Sequence, residues 1–247
     1  MKKLKFIILL SFLIGTNIIY SVTNAAIQDN PSSGSKEFIV CIDPGHQEKM
    51  DSKTEPVAPG SGKRKSRVSA GTAGVGTKKA EYIVNLEASM ILKEILENKG
   101  YKVVMTRESH DVSISNAERA EIANKCNADL TIRIHCDSLN DSGKAGATIL
   151  VPSKSGENTK AIFEDSNKYG AILKKELKAS GIKVNGICER VDITGFNWSQ
   201  VPVVIFEMGF MSNWNEDKML SDPSYQKKLM EIVAHSIDEY KERAISE

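Results

Sequence analysis

Two histidines and two glutamates, each in a distinctive short motif, are the residues of this chain most able to do chemistry. They are His46 in IDPGHQ, Glu81 in AEYIVNL, His135 in IRIHCDS and Glu207 in VPVVIFEMGF. Two imidazoles and a carboxylate can bind a zinc ion and leave one coordination position open for water. A second carboxylate can take a proton from that water. The four residues therefore indicate a hydrolase with Zn2+ as its cofactor.

Each of these residues also has an ordinary structural explanation when it is taken alone. His46 can be a surface histidine in a loop, and His135 can be a core histidine bonded to the backbone. Glu81 can be an acid in the first turn of a helix, where the helix dipole favours it. Glu207 is harder to explain in this way, because it ends the apolar run VPVVIF. A carboxylate at the end of a buried strand needs a cation or a proton.

Apolar runs and helical periodicity predict strands that alternate with helices along most of the chain. The predicted strands lie at residues 37–43, 101–107, 130–135, 147–152 and 201–207, and the predicted helices at 78–98, 115–126, 160–180 and 224–243. The strand at 147–152 is a candidate for antiparallel pairing. The alternation predicts an α/β fold, a single-domain three-layer sandwich with a mostly parallel central sheet and helices on both faces.

Local signals add detail to this scheme. Thr77 is the expected N-cap of the first helix, and the S-x-x-E capping box of Ser115 and Glu118 opens the second. Residues 47–76 are rich in glycine and proline and predict a long functional loop.

The candidate chemical residues are predicted to meet at one edge of the sheet. In sheets of this kind, ligands bind at the carboxyl ends of the strands. His46, His135 and Glu207 each fall at or just after the end of a predicted strand. Glu81 falls at the start of a helix, after a connection that leaves the same edge. Four separate segments therefore converge on one place.

The N-terminal segment has the pattern of a secretory signal peptide. Residues 1–26 contain three lysines near the start, then a mostly apolar run, then small residues. An uncleaved membrane anchor is the alternative, but the apolar run is interrupted and short for a span of about 20 residues. Residues 27–36 are predicted to be a linker and 37–243 one catalytic domain. We expect a secreted or cell-envelope protein with no stable membrane domain after leader cleavage.

The charge balance argues against a nucleic-acid partner. The chain has 33 basic and 32 acidic residues, and removal of the leader lysines leaves 30 against 32. Without a basic field over the surface, the attraction that phosphate backbones require is missing. A lysine-rich leader that contains asparagine, together with few aromatic residues, indicates a low-GC Gram-positive source.

Four motifs in a fixed order resemble a known enzyme family. Residues 43–46 read DPGH, Glu81 precedes the Asn-Leu pair at 85–86 by four residues, His135 ends a strand in Ile-His, and Glu207 precedes GFMSN at 209–213. This set resembles the zinc-dependent N-acetylmuramoyl-L-alanine amidases of type 3, a family of bacterial cell-wall hydrolases. The resemblance covers roughly residues 37–243. Four motifs in the right order are a specific signal, whereas any one alone is weak.

The resemblance implies a role for each matching residue. His46, Glu81 and His135 would bind zinc, and Glu207 would be the catalytic carboxylate. The partner would be peptidoglycan, cleaved by a zinc-activated water at the amide between N-acetylmuramic acid and the L-alanine of the stem peptide. Some members of the family are held inactive until a protein partner or a moved segment opens the site. The sequence leaves the need for such a partner open.

Two other functions remain as alternatives. The first is a zinc peptidase that cuts within the stem peptide, since such enzymes can use the same ligands and a glutamate base. The second is a partner-dependent or non-catalytic wall-binding protein. The presence of Glu207 beside all three metal ligands argues against a protein without activity.

Further residues are candidates for substrate contact. Arg133 lies two positions before His135, on the same face of its strand, and either reaches substrate or pairs with an acid. Asn197 and Trp198 precede the strand of Glu207 and either line the substrate groove or pack on the core. The basic run KRKSR at 63–67 is either a solvated loop face or a contact for anionic wall polymers and stem-peptide carboxylates.

Overall fold

Strands and helices alternate along the part of the chain that the structure describes, residues 37–246 of a computed structural model. The predicted leader at 1–26 and linker at 27–36 lie outside the described residues. The strands are β1 Ile39–Pro44, β2 Asp51–Pro56, β3 Arg64–Val68, β4 Lys102–Met105, β5 Leu130–Asp137, β6 Ala147–Pro152, β7 Val184–Arg190 and β8 Val203–Phe210. The helices are α1 Glu81–Asn98, α2 Asn116–Lys125, α3 Lys160–Ala179, α4 Thr194–Asn197, α5 Trp214–Leu220 and α6 Pro223–Ser246.

A six-stranded mixed sheet with the order β4-β1-β5-β8-β6-β7 forms the centre of the fold. β1 pairs in parallel with both β4 and β5, and β5 pairs in parallel with β8. β6 runs antiparallel to β8 and parallel to β7. The predicted α/β fold with a mostly parallel sheet is confirmed, and so is the antiparallel pairing suggested for the strand at 147–152.

Alternation along the strands separates the two faces of the sheet. On one face, side chains such as Ile134 and Phe206 join α1, α3 and α6 in the main core. On the opposite face, Cys41 packs beside Ala123 of α2, and Phe196 of α4 packs on β8. The central strands supply apolar groups to both faces, which explains why their sequences are nearly continuous apolar runs.

The predicted long loop at 47–76 is wrong, because this segment contains a β-hairpin. β2 and β3 pair antiparallel and form a separate two-stranded sheet. Their sequences, DSKTEP and RKSRV, contain few apolar residues, so they lack the alternation of apolar and polar residues that predicts a strand. The hairpin is held by contacts to the rest of the fold instead. Arg67 pairs with Asp51 at 3.1 Å and with Glu118 of α2 at 2.7 Å.

The predicted start of the first helix is also wrong. α1 begins at Glu81, its N-cap is Ala80, and no side chain caps it. Thr77 has a different partner, since its hydroxyl donates to Oδ1 of Asp217 in α5 at 2.5 Å. Oδ2 of Asp217 accepts from the backbone N–H groups of Gly76 and Thr77. The segment before α1 is thus fixed by a buried acid more than a hundred residues away, which local sequence does not reveal.

Three short or exposed elements were missed by the sequence analysis. β7, α4 and α5 lie at the edge of the sheet or span only a few residues, so they lack a clear periodic pattern. The remaining predicted strands and helices are confirmed with small shifts at their ends. Within residues 37–246, no helix is long and apolar enough to cross a membrane.

The predicted capping box at the start of α2 is confirmed in both directions. The Ser115 hydroxyl accepts from the Glu118 backbone N–H at 3.2 Å. The Glu118 carboxylate in turn accepts from the Ser115 backbone N–H at 2.6 Å.

Replacement of Ser115 tests how much this cap stabilises the fold. We expect Ser115→Ala to lower the free energy of unfolding by about 1 kcal/mol, because one helix N–H loses its acceptor. Urea denaturation of the purified protein measures the change. Ser113→Ala, at an exposed position just before the helix, is the control and should alter the free energy by no more than about 0.5 kcal/mol. Equal effects of the two changes would contradict the role of the cap.

Candidate active site

Polar side chains interrupt the apolar strands at one end of the sheet, and they share a face. Val40 and Ile42 of β1 point into the main core, so Asp43 points to the face of α2 and α4. The same alternation places Arg133 and His135 of β5 on that face. The alternation along β8 places Glu207 on the same face. The strand residues that were predicted to meet at one edge of the sheet therefore also lie on the same face of it.

His46, Glu81 and His135 form the cluster that the sequence predicted as a metal site. One candidate ligand atom from each residue lies within 4.8 Å of the others. The carboxylate lies between the rings, with Oε2 at 3.2 Å from Nε2 of His46 and Oε1 at 3.2 Å from Nδ1 of His135. The two imidazole rings meet edge to face, with centroids 4.9 Å apart. Three distant positions in sequence are therefore in direct contact.

Glycines make this close approach possible. A Cβ at Gly45 would collide with the ring of His135. Gly71 has a φ of 76°, and a Cβ there would lie 2.9 Å from Oε2 of Glu81 and 3.0 Å from Cγ of His46. Both positions therefore need glycine for space, and Gly71 needs it for backbone conformation as well.

Hydrogen bonds hold Glu81 in its ionised form. The side chain is 3% exposed. Oε1 accepts from the Cys136 backbone N–H and from Nδ2 of Asn85, both at 3.1 Å, and Oε2 accepts from the Thr72 backbone N–H at 3.0 Å. Burial opposes the charge, but bonds from His135 and His46 hold the pKa of Glu81 well below its usual value. A buried carboxylate with this many donors remains an anion.

The cluster fits a zinc ion by its chemistry. Burial lowers the pKa of His135 to about 4, so its ring is neutral at neutral pH, while Glu81 is an anion. Neutral imidazole and ionised carboxylate are the forms that bind metal. Nε2 of His135 is buried and has no hydrogen-bond partner among the described residues. Nδ1 of His46 is 3.0 Å from the carbonyl of Ser69, the kind of contact that orients a metal-binding ring.

Cys136 does not belong to this cluster. Its side chain is buried in the main core on the opposite face of the sheet, as the alternation along β5 requires.

Glu207 lies directly beside the cluster. β5 and β8 are neighbours in the sheet, and His135 pairs with Glu207 in register. Oε2 of Glu207 is buried without a hydrogen-bond partner among the described residues. Burial, together with the charges of Glu81 and Asp137, raises the pKa of Glu207 well above its usual value. An unpaired carboxylate with a raised pKa is suited to accept and return a proton.

A buried ion network lies behind the turn that carries His46. Asp43 is 1% exposed, and its Oδ1 accepts from Nη1 of Arg119 at 2.6 Å and from Oγ1 of Thr106 at 2.5 Å. Its Oδ2 accepts from Nε of Arg133 at 2.6 Å. Burial opposes the charge, but the two guanidinium groups and the hydroxyl hold the pKa of Asp43 far below its usual range.

Arg119 of this network and the neighbouring Arg107 fix the backbone of the turn. Nη1 and Nη2 of Arg119 donate to the carbonyls of Pro44 and His46, both at 2.9 Å. Arg107 donates to the carbonyls of Pro44 and Gly45 at 2.9 and 3.0 Å. These bonds hold His46 at a φ of 58°, a left-handed conformation that is uncommon outside glycine. The turn therefore presents the His46 ring in one orientation.

The three predicted substrate residues are found in structural contacts. Arg133 is buried and binds Asp43 and Oδ1 of Asn116, so the alternative of pairing with an acid is the one the structure shows. Nδ2 of Asn197 donates to two backbone carbonyls, those of Val57 and Val191, and Nε1 of Trp198 donates to the carbonyl of Pro56. The last two residues anchor the β2–β3 hairpin. Contact of these three residues with substrate stays a prediction.

Comparison with known proteins identifies the family. The sequence profile of the Amidase_3 family, N-acetylmuramoyl-L-alanine amidase, matches residues 40–239. The chain belongs to this family. Membership makes it a hydrolase with N-acetylmuramoyl-L-alanine amidase activity on peptidoglycan, and the cluster of His46, Glu81 and His135 is its candidate metal site. Amidases of the cell wall act outside the cytoplasm.

Individual relatives agree with this assignment along most of the chain. The germination-specific N-acetylmuramoyl-L-alanine amidase of Bacillus subtilis is 27% identical, over 97% of this chain and 95% of the relative. The N-acetylmuramyl-L-alanine amidase Ami1 of Mycobacterium abscessus, in its apo form, has a TM-score of 0.74 at 27% identity, over 82% of this chain and 98% of the other. Ami1 of Mycobacterium smegmatis has a TM-score of 0.74 at 25% identity, over 82% and 96%.

Sequence analysis did not find every residue that shapes the site. It left open whether Arg133 reaches substrate or pairs with an acid, and it did not identify that acid. It also did not connect Asp43 with Arg119. The sequence does contain a signal for this ion network. Asp43 and Arg133 are charged residues that interrupt apolar strands, and buried charges need partners.

Removal of the Asp43 charge should destabilise the fold strongly. We expect Asp43→Asn to lower the free energy of unfolding by about 3–5 kcal/mol at pH 7, since two buried guanidinium groups lose their counter-ion. Guanidinium chloride denaturation measures this, with the exposed Asp111→Asn as the control. The folded pKa is depressed, so the contribution is complete above about pH 4, the unfolded pKa, and decreases below it. The difference in the free energy of unfolding between wild type and Asp43→Asn should therefore be smaller at pH 3 than at pH 7. A difference under about 1 kcal/mol at pH 7 would contradict the network's role.

Proposed function

We propose that the protein is a zinc-dependent N-acetylmuramoyl-L-alanine amidase that uses His46, Glu81 and His135 as metal ligands and Glu207 as its catalytic carboxylate. One observation carries the proposal. A three-residue cluster of metal-binding groups lies next to a buried carboxylate oxygen that has no hydrogen-bond partner among the described residues. The bond cleaved is the amide between the lactyl group of N-acetylmuramic acid and the L-alanine of the stem peptide.

The metal and Glu207 divide the chemistry. Zinc, when bound, supplies a Lewis acid that makes water more acidic and polarises the amide carbonyl. Glu207 accepts the proton that the attacking water gives up. It then donates this proton to the nitrogen of the leaving L-alanine, so that the amine departs in neutral form. The raised pKa of Glu207 suits both halves of this transfer, because a weakly acidic carboxyl group holds the proton between the two steps.

Other residues of the site position the ligands. The carbonyl of Ser69 orients the His46 ring, and Asn85 orients Glu81. Arg107 and Arg119 fix the turn that carries His46. These contacts limit the motion of the ligands, which favours a fixed reaction geometry.

The location of the reaction follows from the substrate. Peptidoglycan is outside the cytoplasm, so the predicted signal peptide at 1–26 supplies the export that this activity needs. A Gram-positive source remains a prediction from the sequence, which leaves the need for an activating protein partner open.

Mass spectrometry of digested peptidoglycan tests the activity and the role of Glu207. We expect the zinc-loaded protein without residues 1–26 to release intact stem peptides with free N-terminal L-alanine. Glu207→Gln should reduce this release by at least about a hundredfold, because the proton acceptor is lost. Fragments cut within the stem would instead show a zinc peptidase. No release by either protein would contradict independent catalysis and favour a partner-dependent or wall-binding role.

Thermal unfolding with and without zinc tests the ligand assignment separately from activity. At a free zinc concentration about 100 times its Kd, the melting temperature should rise by roughly 5–10 °C. Glu207→Gln should keep this rise, because Glu207 is outside the ligand set. Glu81→Gln and His135→Ala should lose it. Glu94→Gln, an exposed change on the same helix as Glu81, is the control and should behave like wild type. A full zinc response in Glu81→Gln would rule out the proposed ligand set.

A further inference from the structure

The segment that leads into α1 is folded back on itself and ends at the proposed metal ligand Glu81. We name residues 72–80 the entry loop. Within it, the Gly74 N–H donates to the carbonyl of Lys79 at 2.9 Å. At its base, the Glu81 N–H donates to the carbonyl of Thr72 at 2.9 Å, and the Thr72 N–H donates to Oε2 of Glu81 at 3.0 Å. The conformation of the entry loop therefore helps to set the position of the Glu81 carboxylate.

The tip of the entry loop is held by the carboxylate of Asp217 in α5. Oδ2 of Asp217 accepts from the backbone N–H groups of Gly76 and Thr77 at 2.7 and 2.8 Å. Oδ1 accepts from the Thr77 hydroxyl at 2.5 Å. A Cβ at Gly74 would collide with Oδ1 of Asp217, so the carboxylate enters the loop only because this position is glycine. The loop is thus closed around the side chain of Asp217.

The hydrogen bonds of Asp217 are all directed to the entry loop. The residue is 0% exposed, and no cation in the described part of the chain pairs with it. A buried carboxylate without a cation depends on its hydrogen-bond donors, because it has lost its hydration. The donors to this carboxylate are the two N–H groups and the hydroxyl of the loop. The acid and the loop therefore need each other.

The neighbouring acid of α5, Glu216, ties the same helix to the central sheet. Its Oε2 accepts from the backbone N–H of Phe210 at 2.7 Å, and its Oε1 accepts from that of Gly146 at 2.8 Å. Phe210 ends β8, the strand that carries Glu207, and Gly146 directly precedes β6. One acid of α5 thus anchors the helix on the sheet, and the next acid holds the loop that carries Glu81.

We propose that Asp217 is a positioning residue of the metal site, which holds Glu81 in place through the entry loop and so raises the affinity for zinc. The inference rests on the proposed function, because it assumes that Glu81 is a zinc ligand. A ligand that is already ordered loses little conformational entropy when the metal binds. Without the anchor, the entry loop would gain freedom, and part of the binding free energy would be spent on ordering it again.

The affinity of the purified metal-free protein for zinc, measured by competition with a chromophoric chelator, tests this inference. Asp217→Asn keeps the shape of the side chain but replaces one acceptor oxygen with an NH2 group. We expect it to raise the zinc Kd about tenfold, as changes around metal ligands do. Circular dichroism of each variant establishes that it is folded under the conditions of the titration.

Thr77 gives a second, independent way to weaken the same contact. Thr77→Val removes the hydroxyl donor and should raise the zinc Kd at least about threefold, since Oδ1 of Asp217 is left unpaired. Thr77→Ser keeps the hydroxyl and should bind zinc within about twofold of wild type. If Asp217→Asn does not fold, the comparison of these two variants decides the question.

Glu216→Gln is the matched control for a general loss of stability. It changes the adjacent acid of the same helix, which also accepts from two backbone N–H groups, but at β8 and β6 instead of the entry loop. We expect it to lower the urea midpoint of unfolding, as Asp217→Asn does, and to leave the zinc Kd within about twofold of wild type. An increase in Kd equal to that of Asp217→Asn would show a loss of stability alone and would overturn the inference.

Glu81→Gln separates this inference from the proposed function. It should weaken zinc binding more than Asp217→Asn does, and the two changes together should raise Kd by less than about twofold over Glu81→Gln alone, because Asp217 acts through Glu81. A Kd within about twofold of wild type in both Asp217→Asn and Thr77→Val would overturn the inference and leave the ligand set intact. Wild-type zinc binding by Glu81→Gln would reject the ligand set and the inference together. If zinc binding depends on Glu81 and Asp217 but peptidoglycan is not cleaved, the proposed activity fails while the inference stands.

Discussion

Asp43 is buried at the end of β1 and accepts hydrogen bonds from two guanidinium groups that are themselves buried. Charges taken out of water are costly, and pairing offsets this cost only where every remaining donor finds an acceptor. Arg119 finds further acceptors in the carbonyls of the turn that carries His46, and Arg133 finds one in Asn116. The need to satisfy a buried ion network therefore also fixes the backbone that carries His46. The left-handed conformation of His46 persists because the bonds around it leave no alternative.

The sheet makes the rest of the site compatible with a stable core. One face of β5 and β8 is apolar and packs under α1, α3 and α6, while the opposite face carries His135 and Glu207. Because these two residues pair in register on neighbouring strands, Glu207 lies beside the cluster of His46, Glu81 and His135, and no loop is needed to position it. Glu81 enters from the first turn of a helix and is surrounded by donors. Burial of polar groups on this face is tolerable because a metal ion and a proton would balance the charges.

Much of this arrangement could be predicted from the sequence, for definite reasons. Glu207 and His135 end apolar strands, and parallel strands bring such ends to one edge, so the meeting of these residues and the α/β fold could be predicted from the pattern. The hairpin did not, because DSKTEP and RKSRV have the composition of a loop and are held by contacts from Trp198 and Asn197. The start of α1 was misplaced because Thr77 binds a distant acid, Asp217, and does not cap the helix. Long-range polar contacts of this kind leave no local trace.

We propose that His46, Glu81 and His135 bind zinc while Glu207 remains outside the metal shell. Diffraction from crystals of the zinc-loaded protein, recorded on both sides of the zinc absorption edge, tests it most directly. We expect one anomalous peak within bonding distance of His46, Glu81 and His135, with no bond from Glu207 or Cys136. A peak bonded to Glu207, a peak at the cysteine, or a crystal with zinc elsewhere and none at this cluster would contradict it.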